Sequence, residues 1–317
     1  MAPWVAASNH KNRLPAQQKG GLLLMHTPLA PTRALVFLAL TVAGASHPQA
    51  MPGQVHPTPR YLRDRGSGIP TSLFGIFVGR GQLLVFPFYA YIRDHNREYQ
   101  PAKLGFGLDQ DFRGSFRSTA EVLFLGYGVT DWLTLELEGA RISASLDKSP
   151  TDPSAMPSRI HQSGIGDFEA HVRLRFLSEG PRRPGFFGFL EMTPATHRRK
   201  ALIAEPNWDL KPGLGLLRGF GWGTLQFRIA AEWNREAKSP DLGEVTIEYL
   251  KRLSASFRLN LALEGGESGT NDEWTVVLGG HYRLTNALSL KLDSALGIMS
   301  KATDLEAQFG LMLWVRQ

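Results

Sequence analysis

The chain contains no cysteine, and no apolar run is long enough to cross a bilayer as a helix. The missing cysteines exclude a disulfide framework, thiol chemistry and a cysteine-linked lipid anchor. The excess of basic over acidic residues is also small once residues 1–50 are left out. Residues 1–50 hold four of the 35 basic residues and none of the 29 acidic ones, so 31 basic residues remain against 29 acidic. This near balance removes the main support for nucleic-acid binding.

The apolar stretch at residues 34–45 follows Arg33 and ends in small residues. It is shorter than the roughly 18 residues of a membrane-spanning helix. A basic residue, a short apolar segment and a small-residue end are typical of a secretory signal. We therefore predict a leader and signal peptide over 1–45, cleaved near Ala45 or Ala50. A short buried helix is the alternative.

From residue 81 onward the sequence is a series of alternating segments. In one of them, Phe168–Phe176, every second residue is apolar and those between are charged, polar or small. We count about 12 such segments, with a range of 10–14, joined alternately by short turns and longer polar links. This pattern predicts an all-β fold, a transmembrane antiparallel up-and-down β-barrel over 81–317. Residues 46–80 are interpreted as a periplasmic N-terminal tail or a plug segment. The predicted location is the outer membrane of a Gram-negative-type bacterium.

The polar face of each segment carries many charges. A lipid-facing Arg or Lys at mid-bilayer costs about 2–4 kcal/mol, so these side chains are expected to face the lumen. The predicted lumen-lining residues are Glu136, Glu138, Asp167, Glu169, Arg173, Arg175, Arg228, Glu232, Glu244, Glu248, Arg258, Lys291 and Asp293. Two interpretations stay open: a water-filled path of mixed charge, or a salt-bridge network that fills a narrow barrel.

Large aromatic residues cluster at the ends of the alternating segments. Tyr and Trp favour membrane interfaces because the ring is apolar while its polar edge stays hydrated. The predicted interface aromatics are Trp132, Trp222, Trp233, Trp274, Tyr282 and Trp314.

Two motifs carry a resemblance to a known family. The turn Tyr127–Trp132 reads YGVTDW before an alternating strand, and Gly164–Asp167 reads GIGD before another. In these motifs the chain resembles the outer-membrane barrel transporters of the family named for the MetA pathway of phenol degradation. The resemblance extends from about residue 81 to the C-terminus, although Thr193–Thr196 replaces a Pro-Thr-Gly common in that family. It implies passage of small, often hydrophobic or aromatic compounds across the outer membrane.

The function predicted from the sequence is passive passage of small solutes through the barrel. A closed structural barrel without conductance is the alternative, and an outer-membrane lipid-modifying enzyme is a weaker one. His171 and His281 lie on strands, but no nucleophile signature accompanies them. We predict no enzymatic activity, no metal and no cofactor. The expected partners are outer-membrane lipid, lipopolysaccharide, a small-molecule solute and the barrel-assembly machinery, with no nucleic acid.

Overall fold

The computed structural model describes residues 58–317 except 196–199, 205–206, 235–240, 267–272 and 317. The predicted signal peptide, its cleavage position and the first part of the 46–80 segment lie outside the described residues. No helix in the described ranges is both long and apolar enough to span a membrane.

Twelve strands form one closed barrel in which each pairs antiparallel with its neighbours in the chain and the last pairs with the first. This confirms the predicted fold class and strand number. A separate two-stranded hairpin, β1 and β2, precedes the barrel. The strands are β1 (Ile69–Pro70), β2 (Phe77–Val78), β3 (Gln82–Tyr99), β4 (Phe112–Gly128), β5 (Leu133–Asp147), β6 (Arg159–Leu177), β7 (Gly185–Thr193), β8 (Asp209–Gly219), β9 (Thr224–Asn234), β10 (Asp241–Arg252), β11 (Phe257–Gly266), β12 (Glu273–Arg283), β13 (Leu288–Gly297) and β14 (Leu305–Arg316).

The two ends of the barrel differ. Short turns such as 129–132 and 253–256 join strands at one end, here called the turn end. The links 100–111 and 148–158 are longer and lie at the opposite, loop end. Strands β3 to β6 have 15–19 residues, whereas β7 to β14 have 9–12. One side of the barrel wall therefore extends further toward the loop end.

Alternation along each strand separates an apolar outer face from an inner face, as predicted. On β5, Leu135 and Leu137 are 44% and 47% exposed, whereas Glu136 and Glu138 are 4% and 1% exposed. Successive strand side chains point to opposite faces, so the leucines must face outward and the glutamates inward. An outer surface of this kind is suited to lipid rather than water.

The segment from residue 60 to residue 80 lies inside the barrel. It begins with a 3-10 turn at Arg60–Leu62, and residues 69–78 are buried. Ser72 hydrogen-bonds to Glu136 on β5, whereas Phe74 packs with Val277 on β12. These two strands are five apart around the closed barrel, and only an interior position allows contact with both. Gly75 has φ +70, and a Cβ there would lie 3.2 Å from Leu250. The close fit explains why glycine stands at the hairpin turn.

Candidate functional site in the barrel interior

The charged part of the inner wall is organised around Arg173 on β6, whose side chain is fully buried. Its Nε lies 3.0 Å from Glu136 Oε1 and its terminal nitrogen 2.7 Å from Glu191 Oε1. The guanidinium also lies 4.9 Å from the centroid of the Phe189 ring. The strand register brings Glu136 and Arg173 together. Arg173 is paired with Thr134 across the two strands, and Glu136 is the next inward-facing residue after Thr134 on β5. Buried charges must be paired in this way to be tolerated.

His171 lies one inward position further toward the loop end. Its two ring nitrogens lie 3.5 Å from Glu136, 3.4 Å from Glu169 and 3.6 Å from Glu191. The cluster continues on β8, where Lys211 Nζ lies 3.3 Å from Asp209 Oδ2. The acidic side chains here outnumber the basic ones.

A second group of charges begins on the adjoining strands β9 and β10 and reappears on β13. Arg228 pairs with Glu244 at 3.2 Å and lies 4.9 Å from the Phe74 ring centroid. Lys291 pairs with Asp293 on the same strand. The cation–π contact between Arg228 and Phe74 therefore adds to the apolar packing that holds the hairpin against the inner wall.

The structure places all thirteen predicted lumen residues on the inner face. Ten are buried; the half-buried three are Arg175, Glu244 and Arg258. Arg175 donates to the carbonyl oxygens of Ser67 and Gly68 in the interior segment. A role in solute passage remains a prediction for the whole set.

The sequence reasoning missed an apolar part of the inner wall. Inward residues of β3 to β5 form a buried apolar cluster that includes Phe86, Phe88, Phe124 and Ile142. The Phe86 and Phe88 rings stack with centroids 4.7 Å apart. A signal was present, since residues 83–91 are apolar or aromatic at consecutive positions, not only at alternate ones.

One of the predicted interface aromatics belongs to this inner wall. Trp314 packs against the apolar cluster and is opposite the buried Leu84 in register, so it faces inward. The prediction for Trp314 is therefore corrected, because position near a strand end does not fix which face a residue occupies. Trp132, Trp222, Trp233 and Tyr282 are at least half exposed, as an outward position requires, and Trp274 is partly buried.

A second apolar cluster lies among the long links at the loop end. Tyr99, Phe112, Leu146 and Met156 are buried there, and Tyr99 donates a 2.9 Å hydrogen bond to Asp152. Phe116 and Leu202 pack against both this cluster and the inner-wall cluster; partly buried neighbours at the loop end are Leu104, Phe106, Leu108 and Ile160. Apolar packing is therefore continuous from the loop end into the barrel.

The interior segment is anchored to the wall and to a turn-end link by buried polar contacts. Arg65 pairs with Glu179, and both side chains are almost fully buried. Ser72 donates to Glu136 from its backbone nitrogen at 3.0 Å and from its hydroxyl at 2.7 Å. A cavity of about 170 Å³ lies beside Arg65, and one of about 10 Å³ lies beside Phe74.

The two strand histidines do not form a catalytic arrangement with a serine in the described part of the chain. His171 contacts carboxylates, and His281 lies beside Gly75 of the hairpin. A Ser–His contact does exist between Ser145 and His161, at 3.1 Å, but it lies on the outer face. Among the described residues no three or more His, Asp or Glu side chains are arranged to hold a metal ion.

No protein-family model matches the chain, and no curated protein matches it. Several solved structures are similar. An outer-membrane channel from Pseudomonas putida F1 has a TM-score of 0.55 and 13% identity, covering 83% of this chain and 100% of that chain. The KdgM porin has a TM-score of 0.43 and 9% identity, over 72% of this chain and 98% of that one. A ΔS2S3 mutant of the TodX monoaromatic hydrocarbon channel has a TM-score of 0.38 and 9% identity, over 75% and 90%. At this level of identity the first similarity supports the barrel fold.

Proposed function

We propose that this chain is an outer-membrane β-barrel channel for passive passage of small molecules, preferentially apolar or aromatic ones. In this proposal the loop end faces the cell exterior and the turn end faces the periplasm. The apolar outer band and the charged inner face support insertion in a membrane. The barrel fold shared with the Pseudomonas channel supports the outer membrane as its location.

The observation that carries the proposal is the continuous layer of apolar side chains from the loop-end cluster to the inner wall of β3 to β5, which the interior segment covers in the closed state. A small aromatic solute that leaves water gains roughly 25 cal/mol for each Å² of apolar surface that it buries. Contact with this wall therefore favours such solutes over sugars or ions. The resemblance to the family named for phenol degradation points in the same direction and stays a hypothesis about substrate class.

The interior segment gives the channel a closed resting state. The Arg65–Glu179 pair and the two hydrogen bonds from Ser72 to Glu136 hold residues 60–80 in place. Passage then requires the hairpin to move aside. Of the two interpretations of the charged lining, a paired network that fills the bore describes this closed state.

A second candidate function has its own support. The small interior cavities and the paired charges are also what a permanently closed structural barrel would have. Such a protein would conduct nothing and would leave cells no more permeable.

Purified full-length mature protein in planar bilayers, together with uptake of N-phenylnaphthylamine by cells that express it, separates the two candidates. A channel gives discrete conductance steps and faster dye uptake than cells with empty vector. Phe88→Gln on the apolar wall should slow dye uptake several-fold, whereas Glu248→Gln on the charged wall should not. No conductance and unchanged uptake in wild-type cells would favour the closed structural barrel.

A further inference from the structure

The outer face of β3 to β6 carries an ordered polar surface near the loop end. In one row across the sheet, Arg93 is opposite Arg117, Arg117 is opposite Ser145, and Ser145 is opposite His161. All four residues lie on the outward face of their strands. The row exists because these four strands are longer than the others and extend past the apolar band.

Neighbouring rows continue the pattern down to the apolar band. The row nearer the membrane is Tyr91, Thr119, Ser143 and Ser163, and the next is Tyr89, Glu121, Arg141 and Ile165. Below them, Pro87, Leu123, Gly139 and Phe168 begin the apolar surface. We call the polar rows the arginine–hydroxyl face, defined by Arg93, Arg117, Arg141, His161, Thr119, Ser143, Ser145 and Ser163.

The positive charges of this face are only partly compensated within the protein. Arg93 donates to His95 at 2.9 Å and interacts electrostatically with Asp304, and Arg117 interacts electrostatically with Asp147. Like charges directly opposite each other on paired strands are destabilising, and Arg93 and Arg117 form such a pair. Neither Arg117 nor Arg141 makes a side-chain hydrogen bond or an ion pair in the described part of the chain, although Glu121 is opposite Arg141 in register. The nearby Asp147 is already engaged by both Nε and Nη2 of Arg159.

We propose that the arginine–hydroxyl face binds the phosphorylated disaccharide headgroup of lipid A in lipopolysaccharide. The proposal rests on the outer-membrane location proposed above, which puts this face at the level of the outer-leaflet headgroups. Arginine matches phosphate oxygens with two parallel hydrogen bonds, and hydroxyls can bond to sugar oxygens. Arg117 and Arg141 lie four residues apart along the sheet, a separation of about 13 Å at roughly 3.3 Å per residue. Each can meet the phosphate at one end of a bisphosphorylated disaccharide.

The arginine–hydroxyl face is better suited to lipid A than to a soluble anion, because its lower edge adjoins the apolar outer surface that contacts acyl chains. The Arg141 row lies next to Leu123 and Phe168, so a ligand there has a charged head and an apolar tail in adjacent layers. A bilayer lipid has that shape.

Native mass spectrometry of the full mature protein in detergent, titrated with bisphosphorylated lipid A, tests the proposal. Dephosphorylated lipid A and phosphatidylglycerol serve as comparison lipids. Wild-type protein should bind bisphosphorylated lipid A about tenfold more tightly than either. The double variant Arg117→Gln/Arg141→Gln should lose that preference. The matched control Arg182→Gln/Arg183→Gln removes two exposed charges from a turn-end link and should keep it.

Three binding results would each overturn the proposal: unchanged lipid A binding by the double variant, an equal loss in the control, or equally tight binding of phosphatidylglycerol. Thermal unfolding adds an independent readout. Without lipid, Arg117→Gln should change the melting temperature little, because it removes both the repulsion from Arg93 and the attraction to Asp147. A clearly lowered temperature would assign Arg117 a structural role and also overturn the proposal. Conductance of the double variant should equal that of wild type, so that loss of lipid binding is distinguishable from failure of the channel assignment.

Discussion

At the scale of single residues, Arg173 shows how the interior tolerates buried charge. One guanidinium pairs with two carboxylates, those of Glu136 and Glu191, and lies against an aromatic ring. The sequence predicted the inward position of Arg173, because alternation fixes the face of a residue on a strand. It could not predict the partner Glu191, which lies on the next strand and depends on the register between β6 and β7.

Replacing Arg173 with Met should destabilise the barrel strongly. Two buried carboxylates would lose their cation, and removing one partner of a buried pair typically costs about 3–5 kcal/mol. Denaturant unfolding in lipid vesicles measures the change. Arg159→Met is the control, because the Arg159–Asp147 pair is largely exposed and should contribute little. Similar losses for the two variants would contradict the role assigned to Arg173.

At the scale of elements, the strands were predictable and the packing of the interior segment was not. All twelve barrel strands overlap the predicted alternating segments, since period-two hydrophobicity is a local property of the sequence. The hairpin has two two-residue strands and no such period. Its position depends on contacts with distant residues such as Glu136 and Glu179, so the sequence left the tail and the plug as alternatives.

Loosening the hairpin should open the channel more often. Glu179 pairs with Arg65 and accepts a 2.7 Å hydrogen bond from the backbone nitrogen of Gly219, so Glu179→Gln removes the charge that anchors the segment. Single-channel recording should show a higher open fraction. Glu98→Gln, which removes a carboxylate paired with Arg113 at the loop end, is the matched control. An unchanged open fraction in Glu179→Gln would contradict closure by this segment.

The loop between β13 and β14 should have a pH-dependent contribution to stability. The backbone nitrogen of His95 donates to Asp304 at 2.8 Å, and this bond lowers the pKa of the carboxyl group below its ordinary 3.8. A lowered folded-state pKa means that the stabilisation is complete above pH 3.8 and is lost as the pH falls through the folded value. Asp304→Asn should therefore reduce the melting temperature at pH 7 and have little effect near pH 2. An equal effect at both pH values would contradict this origin.

At the scale of the whole molecule, the sequence predicts a closed barrel more directly than it predicts which side chains and segments fill the barrel interior. Many alternating strands with charged inner faces leave few alternatives to a closed cylinder in a membrane. What fills that cylinder is set by strand pairs that are apolar on both faces, by loops that fold inward and by the hairpin. Trp314 illustrates the limit, because its place at a strand end predicted an interface position, whereas strand parity places it inside.

The orientation of the two faces is the central claim, and the natural absence of cysteine allows a direct measurement of it. Single cysteines at Leu137, Leu214 and Leu292, and at the inward Glu138 and Ala262, can carry nitroxide spin labels in reconstituted vesicles. Electron paramagnetic resonance then reports collisions with lipid-dissolved oxygen. The account predicts high oxygen accessibility at the three leucine positions and low accessibility at the two inward ones. Equal accessibility at both sets, or a protein that stays monodisperse in water without detergent, would contradict it.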